Sequence, residues 1–181
     1  NSNLLDLRRE IDDIDNAMHD LLMRRASVVE RVKDLKQSDG DVIFRPGREA
    51  EILRRLTARH TGPLSRNIVV RIWRELMSAF VSMQGPFVVA VWDNGEVGCW
   101  DVARDHFGTE TTMTRHQSAG AVLHAIAGGT ATVGVLPLPQ DGEADPWWPA
   151  FSLGRDKNLK ICARMPFASR RNSRGIRSGA F

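Results

Sequence analysis

The sequence predicts a multidomain chain, α plus α/β: a three-helix domain over residues 1–86 that pairs into an intertwined all-helical dimer, then a small α/β domain over 87–167. Three observations predict it. Leu4 to Lys36 contains no Gly or Pro and carries apolar residues at three- and four-residue steps. Gly85-Pro86 stops a third stretch of that kind. From Phe87 onward short apolar runs alternate with short helical ones.

In the first helix Leu4, Leu7, Ile11, Ile14, Met18, Leu21, Val28, Val32 and Leu35 form one amphipathic stripe. Gln37-Ser38-Asp39-Gly40-Asp41 breaks it. Arg45-Pro46-Gly47-Arg48-Glu49 then opens a second helix, with Pro46 suited to a first-turn position and Ile52, Leu53 and Leu56 inside. His60-Thr61-Gly62-Pro63 ends it. A third helix from about Leu64 to Gln84 carries Ile68, Val69, Ile72, Trp73, Leu76, Phe80 and Met83 on one stripe.

Beyond it, Phe87–Trp92 reads as a strand, Trp100–Phe107 and Ala119–Ala127 as short helices, Ala131–Leu138 as a buried strand and Leu159–Arg164 as another. The loop Asp145-Pro146-Trp147-Trp148-Pro149 is either a binding patch or a buried plug, and the plug is favoured. Residues 168–181 are rich in Arg, Ser and Gly, a basic tail or loop. The chain stops there as an apolar segment would begin, and is expected to be incomplete at that end.

With 181 residues and 42% hydrophobic content the chain can build two modest cores, which excludes disorder as a whole. A net charge of +3 is close to neutral and argues against nucleic acid as the partner; small anions suit it equally well. Cys99 and Cys162 have no CxxC spacing and no neighbouring His pair, so neither a disulfide framework nor a metal site is expected, and two thiols fit a reducing cytoplasm. No stretch reaches the ~20 apolar residues of a membrane span.

A first helix of roughly 33 residues is about 50 Å long, twice its companions, so a lone three-helix unit leaves apolar stripe exposed. A second subunit must cover it. A plain coiled-coil dimer would explain the spacing nearly as well, but the charges inside the stripe decide against it. Arg25 stands seven residues after Met18 and seven before Val32, where an apolar residue belongs and a guanidinium is costly without an anion. Lys36 lies three turns further on the same face, roughly 16 Å along the axis. Arg8 is about 25 Å from Arg25 and rotated by about 100°. Antiparallel pairing of the long helices across a dyad carries it towards the partner's Arg25.

Arg48 and Glu49 occupy the first turn of the second helix, with Glu49 in line with the inward residues; Gln84 ends the stripe of the third. Singly, such groups are usually solvated or serve the helix dipole. Together they place polar groups from three helices on apolar stripes, and a small dicarboxylate would satisfy them all.

The pattern Leu4-Leu5-x-Leu7-Arg8-x-x-Ile11-x-x-Ile14-Asp15, Leu21-Leu22-x-x-Arg25, Val32-x-x-x-Lys36, Arg48-Glu49 and distal Gln84 resembles the all-helical class of chorismate mutases. The resemblance implies conversion of chorismate to prephenate in aromatic amino acid (Phe/Tyr) biosynthesis, by a homodimer with shared sites and no cofactor. It implies that Arg8 of the partner chain, Arg25 and Arg48 bind the substrate carboxylates, that Lys36 and Gln84 donate to the ether oxygen, and that Glu49 bonds the ring hydroxyl. Two positions depart from the pattern: Phe80 stands where members often carry a small or hydroxylated residue, and Arg45 where some have an acid.

Residues 87–167 resemble the first half of a prephenate dehydratase domain through Trp100–Gly108, Ser118–Ala127 and Ala131-Thr132-Val133-Gly134-Val135-Leu136-Pro137-Leu138. Pro139-Gln140-Asp141 follows where that family has an acid, an amide and a hydroxyl, and no Thr-Arg motif comes later. The segment is expected to be degenerate and without dehydratase activity. Other readings of the chain are a non-catalytic sensor of chorismate or an aromatic amino acid, an isochorismate pyruvate-lyase and, least favoured, a salt-sensitive nucleic-acid binder.

Overall fold

A computed structural model describes residues 3–39, 43–93, 95, 98–139, 142, 146–149 and 159–165, with the side chains of 36–39 left out. The basic stretch 168–181 expected from the sequence lies outside the described residues. The chain divides into two units, residues 1–43 with 83–85, and residues 44–82 with 86–181.

The first unit is dominated by α1, Leu4–Asp39, 36 residues without a break. Its start is set by a reciprocal cap. The Asp6 amide donates to Asn3 Oδ1 at 3.0 Å and the Asn3 amide donates to Asp6 Oδ2 at 3.3 Å, so two groups that a helix start leaves unbonded are satisfied. The apolar stripe of α1 faces solvent: Leu7, Ile11, Ile14, Met18 and Leu21 are all exposed, Leu21 at 63%.

The second unit contains α2 (Pro46–Ala58), all but the end of α3 (Arg66–Gln84) and the α/β elements. Pro46 opens α2, where a missing amide hydrogen costs nothing. The α/β elements are β1 (Val88–Trp92), α4 (Cys99–Phe107), β2 (Thr112–His116), α5 (Ala119–Ala127) and β3 (Val133–Val135). The strands form a parallel sheet in the order β2-β1-β3. Parallel neighbours require crossovers, which α4 and α5 supply. Central β1 is apolar along its length, and Val89, Ala90 and Val91 are fully buried.

The core beneath α5 holds Ala90, Val122, Ala125, Ala131, Leu136 and Trp147. Gly134 is required in β3 because a Cβ there would lie 2.6 Å from Val122 Cγ1 and 2.7 Å from Ile126 Cδ1. Trp147 is buried and donates its indole N–H to the Pro137 carbonyl at 3.1 Å, while Trp148 is exposed. The plug expected of that loop is therefore Trp147 alone. A second apolar centre is the triangle Phe44, Phe87 and Phe107, with ring centroids 5.2 to 5.9 Å apart. No described helix is long and apolar enough to cross a membrane.

Three sequence expectations need correction. Strand β2 was not foreseen, because Thr112-Met113-Thr114-Arg115-His116 has no apolar run; it is an edge strand held by backbone pairing to β1. Of the expected strand Ala131–Leu138 only Val133–Val135 joins the sheet beside β1, with an isolated bridge at Pro137. Pro137, which has no amide hydrogen to donate, follows shortly after. The expected strand Leu159–Arg164 is irregular, and Lys160, Ile161, Cys162 and Arg164 are exposed. An apolar run becomes a strand only where a neighbour offers a ladder.

Candidate functional site

Six residues were expected to carry function. Arg8, Arg25 and Lys36 lie on α1 and Gln84 closes α3, all in the first unit; Arg48 and Glu49 lie in the first turn of α2, in the second. Arg8 is exposed and Arg25 half-buried. Burial pushes the Arg25 guanidinium below its ordinary value, because removal from water disfavours the charged form. The side chain of Lys36 is outside the described residues. Gln84 is half-buried. Arg48 points outward and pairs with Glu51 at 3.0 Å. A surface pair three residues apart is worth at most about 1 kcal/mol, so Arg48 can leave it for a better anion.

Glu49 behaves differently. It turns inward, as its alignment with Ile52, Leu53 and Leu56 implies, and meets Arg74 of α3: Arg74 Nη1 donates to Glu49 Oε2 at 2.9 Å, both side chains being largely buried. Arg74 Nη1 also lies 3.4 Å from Nε2 of His106, on α4. An arginine can only donate, so Nε2 is the acceptor and the neutral ring carries its proton on Nδ1. Burial, with a smaller push from Arg74, depresses His106 to about 3. Burial pushes the Glu49 carboxyl up, while Arg74 acts to lower it by charge and by hydrogen bonding.

Neither Arg74 nor His106 was anticipated. The signal was present, however. Arg74 is in register with Met77 and Val81 on the buried face of α3, and His106 with Val102 and Ala103 on that of α4. A charged or titratable residue in a buried stripe is the same anomaly that singled out Arg25.

The contact between α3 and α4 continues at Glu75, whose Oε2 accepts from the Thr109 amide at 3.0 Å. Gly108 makes this approach possible. Its φ is +80°, and an added Cβ would lie 2.6 Å from the same oxygen.

Residues 7–85 match the family model described as chorismate mutase type II. That segment is a chorismate mutase type II domain. All six expected residues fall inside its limits, as does Arg74, whereas His106 lies beyond them. The chain is also similar to proteins named bifunctional chorismate mutase/prephenate dehydratase. It is 31% identical to that of Pseudomonas aeruginosa over 142 residues, which is 76% of this chain and 39% of the relative. It is 32% identical to that of Neisseria gonorrhoeae over 105 residues, 58% of this chain and 28% of the relative. It is 28% identical to that of Aquifex aeolicus over 139 residues, 75% and 38% respectively. The chain thus spans well under half the length of these relatives.

The network joining the mutase domain to α4 has a pH signature. Unfolded His106 takes a proton near its ordinary value of 6.5, whereas the folded chain refuses it until about pH 3. Stability from this group is present above about pH 6.5 and lost as pH falls towards 3. By about pH 5 the loss is on the order of 2 kcal/mol. Glu49, with its raised value, works in the opposite sense. Comparison of the wild type with His106→Gln isolates the histidine: the fall in melting temperature between about pH 7 and about pH 5 is expected to be smaller in the variant. Equal falls in the two proteins would refute a buried neutral imidazole.

Proposed function

We propose that the chain is a chorismate mutase, an isomerase that converts chorismate to prephenate by intramolecular rearrangement, and that it works as a homodimer with sites shared between subunits. The observation that carries the activity is the family match over residues 7–85. Within it Arg8, Arg25, Lys36, Arg48, Glu49 and Gln84 stand at the spacing read from the sequence. The dimer is supported by the exposed apolar stripe of α1, which a second copy of the same helix would cover.

The rearrangement needs no nucleophile, proton transfer or cofactor. The protein acts by holding the compact conformer and by stabilising charge as the ether bond breaks. Arg25, Arg48 and Arg8 of the partner chain grip the carboxylates. Lys36 and Gln84 meet the negative charge that grows on the ether oxygen. Glu49 accepts from the ring hydroxyl. The segment 87–167 is a degenerate dehydratase-like domain without that activity.

Loss of chorismate absorbance in the ultraviolet, followed by product analysis, tests the reading. Prephenate as the product is expected. Pyruvate would make the protein a lyase, and tight binding without turnover would make it a sensor.

A further inference from the structure

Glu49 is the acid of the proposed site, yet what holds it comes partly from outside the mutase domain. We infer that Arg74 and His106 are positioning residues for Glu49, so that α4 of the α/β segment sets the geometry of the mutase site. The inference rests on the mutase reading above.

A glutamate that accepts from a substrate hydroxyl must be ionised, and burial disfavours that form. Arg74, itself 5% exposed, supplies the opposing charge at 2.9 Å. It engages Oε2, which leaves Oε1 to accept from a hydroxyl. The guanidinium is placed in turn by His106, 7% exposed, whose Nε2 faces the same Nη1. A neutral imidazole serves here because it accepts the N–H without competing with Glu49 for the cation. The imidazole is fixed edge-on against Phe107, ring centroids 4.7 Å apart, and Phe107 belongs to the aromatic triangle with Phe44 and Phe87. The chain of contacts therefore runs from the rigid aromatic centre through α4 to one oxygen of Glu49. The Cys162 thiol feels Glu49 in turn: burial pushes the thiol up, and the charge of Glu49 adds a smaller rise.

As core packing, the same pair would be a poor choice, since a buried ion pair seldom improves on apolar residues of equal volume. Its use lies in fixing the carboxylate.

The test is steady-state turnover of chorismate by the full chain and by R74K, R74M, H106Q and H106L, with pH profiles and thermal melts. R74M is expected to lower kcat/KM by about tenfold or more and to move the acidic limb of the profile to higher pH, because Glu49 loses its cation. R74K is expected to restore most of the activity and return the limb. H106L is expected to act in the same direction as R74M, and H106Q, whose amide oxygen can accept the same N–H, to lie near wild type. Folded R74M and H106L with wild-type kcat, KM and acidic limb would overturn the inference while leaving the mutase reading intact. If R74M does not fold, H106L against H106Q decides, and equal profiles overturn it. A wild-type chain that leaves chorismate unchanged would overturn the mutase reading and this inference with it.

Discussion

Lys36→Ala is expected to lower kcat for chorismate by roughly two orders of magnitude, about 3 kcal/mol, while KM moves little. The reasoning follows from the chemistry. In an intramolecular rearrangement nothing is attacked and no proton is moved, so catalysis depends on donors aimed at charge that exists only in the transition state. A cation on the ether oxygen is the strongest such donor available. A group that acts only there should reduce kcat and kcat/KM together. Lys36 also stands where a helix accommodates a cation. It lies in the last turn of α1, Leu4–Asp39, where the helix dipole favours positive charge. Arg25 is expected to differ, because in the proposed site it grips a carboxylate, and such a residue binds ground state and transition state alike. A Lys36→Ala enzyme with raised KM and unchanged kcat would place Lys36 in binding and remove it from the proposed chemistry.

Ile14→Asp is expected to convert a dimer into a monomer with reduced helix content and little turnover. Ile14 lies near the middle of the exposed stripe, 51% exposed, between Ile11 at 56% and Met18 at 55%. Water-facing isoleucines in continuous register are not how a lone helix is stabilised. Covering such a stripe with a second copy buries each of these side chains. Truncating a buried aliphatic costs about 2 to 5 kcal/mol, and a dyad counts every substitution twice. The aspartate adds the penalty of an unpaired charge in an apolar interface. Activity is expected to fall with the dimer, since the proposed site takes Arg8 from the partner chain. Sedimentation at micromolar concentration is the measurement. A wild type that sediments as a monomer, or an Ile14→Asp variant that stays dimeric and active, would contradict the shared site.

Both predictions concern residues that were legible in the sequence, and the structure explains why. The stripe of α1 is a matter of period, and a helix preserves period whatever it packs against. The first helix accordingly runs from Leu4, as read, and continues to Asp39. Glu49 was expected to turn inward because it shares a face with Ile52, Leu53 and Leu56, and it does so. The α/β part was less legible. Its central strand β1 announces itself by five consecutive apolar residues, but β2 is polar and is a strand only because β1 lies beside it. At the other end, Leu159–Arg164 has the composition of a strand and lacks the ladder.

Sequence alone determined the local terms: where helices begin and break, which face of each is apolar, and which positions carry a charge that the face should not hold. The family pattern of residues 7–85 lies in those same terms, because each of its polar positions is defined by spacing along one helix. Only the tertiary structure decided which charges meet. Arg74 and His106 are 32 residues apart and on different helices, and Glu49 is 25 residues from Arg74. A contact between elements depends on how their faces pack. No periodicity within a single element encodes that choice.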